Sequence, residues 1–157
     1  MKKIIVALLL CFIMISISGC DVSVHNSIYS DNARIARSSD SYSAIRSIGN
    51  QNGNEYSLSA TMTGTCTIWR YDAKDDSEIT LSYMLSVTKG GKAKLVFITP
   101  DDEVITLVEN ADNAQNTEMQ SQTISLKKGN NRIKIVGYNA PEFELKLNVE
   151  AGNLGTR

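Results

Sequence analysis

The sequence predicts an all-β chain, an antiparallel β-sandwich of jelly-roll or immunoglobulin-like type with seven to eight strands, behind an export signal and a polar tether. Three observations carry this reading. Apolar and polar residues alternate with period two from Tyr56 onward. Turn residues punctuate the alternating runs. No long stretch keeps the spacing of an amphipathic helix. Clean alternation marks antiparallel strands with one face in the core and one in water, and many short strands joined by turns build sandwiches and barrels.

The strands follow in order. Tyr56, Leu58, Ala60, Met62, Gly64, Cys66 and Ile68 alternate with Ser and Thr, giving one long half-buried strand or two joined at Gly64. Ile79, Leu81, Tyr83, Leu85 and Val87 form the next, and Gly90-Gly91 reads as a hairpin turn. The run from Lys92 to Thr99 becomes apolar on both faces near its end, and Pro100-Asp101-Asp102 turns the chain into Val104–Glu109. Asn110 to Ser121 is polar and reads as a loop. Thr123–Lys128 and Arg132–Tyr138 flank Gly129-Asn130, a second hairpin signal. After Asn139-Ala140-Pro141, Phe143, Leu145, Leu147 and Val149 point inward and Glu142, Glu144, Lys146 and Asn148 outward. The domain spans 56–150, with a tail over 151–157.

The chain opens Met1-Lys2-Lys3 and is then apolar from Ile4 to Ile15, the arrangement of a signal peptide. The apolar segment is too short for a span, which needs roughly 18 or more apolar residues. Ile17-Ser18-Gly19-Cys20 resembles the lipobox of bacterial lipoproteins: an aliphatic residue, a small residue, Gly or Ala, then Cys. The resemblance implies cleavage between Gly19 and Cys20 and a diacylglycerol group on the Cys20 thiol. It implies a mature protein held on the extracytoplasmic face of a cell membrane by at least two acyl chains, a stable anchor where one chain would be marginal. Asp21 resembles the inner-membrane retention signal of two-membrane bacteria.

Losing residues 1–19 leaves 138 residues with 14 basic and 17 acidic side chains. That balance has no footprint for nucleic acid. Cys66 would be the remaining thiol once Cys11 is removed and Cys20 acylated. The core therefore has to hold the fold without an intramolecular disulfide, and Cys66 reads as a small buried hydrophobe. Ser, Asn and Gly supply 15 of the 35 residues from 21 to 55, so residues 20–55 read as a tether. As a flexible coil it would span roughly 30–35 Å and lift the domain off the lipid. One helical hint lies within it: Asp40 as cap, Tyr42, Ile45 and Ile48 as a stripe, Gly49 as stop.

Candidate chemistry is sparse. His25 is the one histidine and sits in the tether, away from any rigid frame for acid–base work. It also leaves no His/Cys cluster for zinc. Lys89-Gly90-Gly91-Lys92 is a turn, not a phosphate loop. Asp72, Asp76 and Glu78 could supply oxygens to calcium, but the EF-hand pattern is absent and a solvated turn is the other reading. Asp101-Asp102-Glu103 reads likewise, and neighbouring turn carboxylates are poorly placed for glycoside hydrolysis. Continued alternation turns Trp69 and Tyr71 outward with the threonines, where they could stack on a sugar or seat a protein; burial under the tether or against the sandwich end is the alternative. Tyr138 falls in the outward phase with Arg132 and Lys134, a solvated hairpin face on which Lys134 would meet Glu144.

GTCTIWRYD (Gly64–Asp72), YMLSVTKGGKAKLVFITP (Tyr83–Pro100) and KKGNNRIKIVG (Lys127–Gly137) resemble stretches of small β-sandwich lipoproteins of Gram-positive bacteria. The resemblance implies no catalytic residues. The expectation is a lipid-anchored binding or adaptor module at the cell envelope, not an enzyme, with the membrane as its anchor, an unidentified envelope protein or glycan as partner, and no cofactor beyond the Cys20 lipid. The alternative is a carbohydrate-binding surface module using Trp69, Tyr71 and Tyr138.

Overall fold

A computed structural model describes residues 20–155. The proposed signal peptide and Gly19 lie outside the described residues, and so does the side chain of Cys20. Among the described residues, two short helices, α1 (Cys20–Asn26) and α2 (Asn32–Ile35), precede nine strands. These are β1 (Ser41–Asn52), β2 (Glu55–Ala73), β3 (Ser77–Lys89), β4 (Lys92–Ile98), β5 (Val104–Ala111), β6 (Gln120–Leu126), β7 (Gly129–Tyr138), β8 (Glu142–Val149) and β9 (Asn153–Leu154). Every ladder is antiparallel.

The strands form two layers that share β2. Its first half pairs with β8 and its second half with β7, so the sheet folds over on itself around Thr61–Gly64. The first layer runs β1-β2-β8-β3-β6 and the second β9-β2-β7-β4-β5. Gly64 stands at this corner with φ of 101°, where a Cβ would run into the backbone of Ser41 and Tyr42. The all-β sandwich is as the alternation predicts. Leu58, Leu81, Leu85, Leu95, Phe97, Ile133, Ile135, Phe143, Leu145 and Leu147 are each at most 2% exposed and fill one core between the layers.

Two glycine turns differ from expectation. Neither Gly90-Gly91 nor Gly129-Asn130 makes a hairpin. β3 and β6 belong to the first layer, β4 and β7 to the second, so Gly90-Gly91 and Lys127-Lys128 are arches that cross between layers, and Gly129-Asn130 open β7 opposite Ala73 and Asp72. Glycine at φ of 69° and 40° serves an arch as well as a hairpin. Hairpins instead join β1 to β2 around Gly53, and β4 to β5 around Asp102, whose φ is 62°.

The segment read as a flexible tether is folded. Ile28, Tyr29, Ile35 and Ala36 are buried against Val96, Ile98 and Val136. Those three lie on the outer face of β4 and β7, the second apolar face legible near the end of the Lys92–Thr99 run. Residues 27–40 are thus a strap across the outside of the second layer. Asp31 caps α2, its carboxylate accepting from the Arg34 N–H.

Residues 41–52 are a strand, not a helix. A bulge between Ala44 and Arg46 inserts Ile45 as an extra residue. The bulge leaves Tyr42, opposite Gly64, and Ile48, opposite Ser59, on different faces of the strand, so their spacing in threes marks no common stripe. The tail also docks: β9 pairs with β2 at Trp69 and Arg70, and the Gly155 N–H donates to the Ile68 carbonyl.

Candidate functional site

The expected aromatic platform does not form. Trp69 is fully buried, with its indole N–H donating to the Ala151 carbonyl at 2.7 Å. The cause is a bulge in β2 between Thr67 and Trp69, which reverses the alternation and turns Trp69, Tyr71 and Ala73 toward the core. Tyr71 is partly buried and stacks on Trp69, centroids 6.0 Å apart. Tyr138, at the other end of β7, is 39% exposed and meets the Tyr29 ring edge-on at 5.7 Å.

The outward phase of Arg132 and Lys134 is as read, but that face is roofed by the strap, so neither is solvated. Lys134 is 0% exposed. It does not face Glu144, which lies on the other layer. Its ammonium donates to the carbonyls of Arg37 (2.7 Å) and Ser39 (3.2 Å) and pairs with Asp40 at 3.2 Å. The Asp40 carboxylate also accepts from the backbone N–H and the hydroxyl of Thr67, at 2.9 and 2.6 Å. Burial lowers the Lys134 pKa, and Asp40 opposes that shift. Asp40 thus closes a buried clasp and caps no helix. Arg132 pairs with Asp102 at 2.8 Å. Cys66 is buried as expected, and desolvation pushes its thiol up to about 12.

The candidate calcium ligands are not gathered. Asp76 accepts from the Lys128 N–H, Asp72 lies opposite Asn130 on β7, and Glu78 lies opposite Ser125 on β6. Among the described residues, no group of three or more His, Cys, Asp or Glu side chains is placed to hold a metal ion. His25 lies in the last turn of α1. Among the described residues, no helix is long and apolar enough to cross a membrane.

The recess that sequence reading missed crosses the outer face of the first layer. Register puts Ser59, Glu144 and Ser86 in one row across β2, β8 and β3, and Ser57, Lys146 and Met84 in the next. The segment 112–119 overhangs β3, held where the Val87 N–H donates to the Ala114 carbonyl at 3.0 Å. Under this overhang a cleft of about 350 Å³ is lined by Met84, Ser86, Thr88, Gln115, Asn116, Thr117, Glu144 and Lys146. A second recess of about 190 Å³ continues toward β1, past Ser57, Ser59, Asn50 and Ile48. Glu144 and Lys146 line both, so the two form one open groove over four strands, about 14 Å across at the usual strand spacing. The recess under the overhang is rich in hydroxyl and amide groups, the recess toward β1 is mainly apolar with Ile48, Leu58 and Leu145 in its lining, and a carboxylate and an ammonium stand between them. Ser57, Ser59, Met84, Ser86, Glu144 and Lys146 alternate outward in the sequence, but which of them meet depends on strand order, and most of the rest of the lining comes from segments read as tether and loop.

No family model matches the sequence, and no curated protein matches it. Solved structures resemble it in chain path. A carbohydrate-binding module of a Cellvibrio mixtus lichenase, solved with cellotriose, shows 15% identity over 73% of this chain and 92% of that one, with a TM-score of 0.38. PirA shows 7% identity over 64% and 96%, with a TM-score of 0.41. An exo-β-1,3-galactanase from Phanerochaete chrysosporium, solved with β-1,3-galactotriose, shows 12% identity over 70% of this chain and 27% of that one, with a TM-score of 0.39.

Proposed function

We propose that the chain is a lipid-anchored, extracytoplasmic binding module that takes a polar oligomer, a glycan first of all, in the groove centred on Glu144 and Lys146. The observation that carries the ligand is the groove itself: open, long, mainly apolar toward β1, and with serine, threonine, asparagine and glutamine side chains around two charges. Such groups exchange hydrogen bonds with sugar hydroxyls without burying an unpaired charge. Met84 and Ile48 supply apolar floor where an aromatic platform was expected. The role is non-catalytic. Glu144 is the carboxylate among the lining residues, and glycoside hydrolysis needs a second one facing it across the bond. The anchor rests on the lipobox at Ile17–Cys20.

Titration of the acylated protein in detergent against a panel of cell-wall and capsular glycans tests the ligand. Glu144→Gln combined with Lys146→Ala is expected to weaken the best binder at least tenfold, about 1.4 kcal/mol. Unchanged affinity in that variant would move the site elsewhere. Intact mass of the membrane-extracted protein tests the anchor.

A second reading, a protein adaptor, is favoured by β1. All twelve of its residues are exposed, Ile45 to 84% and Ile48 to 56%, and it pairs on one side with β2. An exposed sheet edge takes an extended segment of a partner as an added strand. Cross-linking from a cysteine at Ile48 tests it: capture of one envelope protein supports the adaptor, and absence of a captured protein counts against it.

A further inference from the structure

The strap changes where the domain stands relative to its anchor. A coil of residues 20–55 would hold the sandwich roughly 30–35 Å from the lipid. Instead the chain is helical from Cys20 to Asn26, and six residues at 1.5 Å cover only about 9 Å. Asn26 is then tied to the body, its side-chain carbonyl accepting from the Asn139 N–H at 2.7 Å. Ile28 and Tyr29 are buried two and three residues later. Little free chain is left to lift the domain.

The surface around this attachment has the composition of a headgroup contact. Val24 is 52% exposed and Tyr138 39%. Tyr138 packs on Tyr29, and the Lys92 ammonium lies 4.6 Å from the Tyr29 ring centre and 5.8 Å from that of Tyr138. Tyrosine and lysine carry an apolar body and a polar tip, which suits the layer between hydrocarbon and water. Lys92 is also paired with Glu109 at 3.3 Å, so the contact is more apolar and aromatic than cationic.

We propose that the strap-covered outer face of the second layer, from α1 across Tyr138, rests on the headgroup layer of the bilayer that holds the Cys20 acyl chains. This rests on the lipid-anchor reading above. It is consistent with the groove, which lies on the outer face of the opposite layer and would then open away from the membrane.

The test uses the acylated mature chain in vesicles of phosphatidylcholine and phosphatidylglycerol at 7:3. An environment-sensitive fluorophore is placed at Tyr138→Cys or, as control, at Thr80→Cys. Thr80 is exposed on the outer face of β3, in the opposite layer and in phase with Met84 and Ser86, so the thickness of the sandwich separates it from the strap. Buried Cys66 stays unlabelled in the folded protein. The expected result is a blue-shifted emission at position 138, quenched several-fold by brominated lipid, and neither change at 80. Equal, water-like emission at both positions on vesicle-bound acylated protein would overturn the docking and leave the anchor standing. A mass showing an unmodified Cys20 would overturn the anchor reading and this proposal with it. Val24→Glu is a second variant on the same face, exposed enough not to threaten folding, and is expected to return the probe at 138 toward water-like emission.

Discussion

Asp40→Ala tests the clasp that closes the strap. The substitution leaves the Lys134 ammonium with the Arg37 and Ser39 carbonyls but no counter-charge, at a position with no exposure to water. It also strips the Thr67 N–H and hydroxyl of their acceptor. Removing one partner of a buried ion pair costs about 3–5 kcal/mol. A chain of this length holds about 5–15 kcal/mol in all. At about 3–4 °C per kcal/mol, the melting temperature should fall by about 10–20 °C. Urea unfolding gives the magnitude. Trypsin gives the location, because Arg34 and Arg37 lie on the strap and a released strap is cut there before the sandwich. Adding Lys134→Met should recover much of the loss, since an apolar side chain of similar length needs no counter-ion. A cost below about 1 kcal/mol for Asp40→Ala, or a double variant as unstable as the sum of the singles, would refute the argument.

The remaining predictions concern the core. Trp69→Ala should cost about 3–5 kcal/mol by urea unfolding, and Trp69 emission in the native protein should stay blue and resist acrylamide, even with a glycan bound. The folded Cys66 thiol keeps its proton to higher pH than the unfolded one. Its contribution is therefore complete below about pH 9 and lost as pH rises toward about 12. By pH 10.5 the wild type should lose about 2 kcal/mol more than Cys66→Ala relative to pH 8, read from urea midpoints. Lys94 and Lys134, whose pKa values burial lowers, work in the opposite direction but are common to both proteins.

The sandwich was legible because its strands keep period two wherever one face is core. On β8 the alternation from Glu142 to Val149 matches burial residue by residue. Reading failed where one extra residue breaks phase. The bulge at Thr67–Trp69 hid the burial of the tryptophan, and the one at Ala44–Arg46 breaks the period-two signal of an edge strand, leaving Tyr42 and Ile48 on opposite faces. The strap was illegible for a different reason. Ile28, Tyr29, Ile35 and Ala36 are too few and too irregularly spaced to announce a packed face among serines and asparagines. Their partners Val96, Ile98 and Val136 carried the clue, because a strand apolar on both sides needs two covers. The groove depends on Glu144 and Lys146 meeting Ser86 and Met84 across strands, and on the overhang of residues 112–119, which lies far from both in sequence.

Because one nineteen-residue ribbon, β2, runs through both layers, neither layer has a complete hydrogen-bonded set without the other. Half of this molecule is not a smaller molecule. Melting should proceed as a single all-or-none event with coincident spectroscopic and calorimetric transitions, and no proteolytic fragment ending near the Gly64 bend should survive as a folded species.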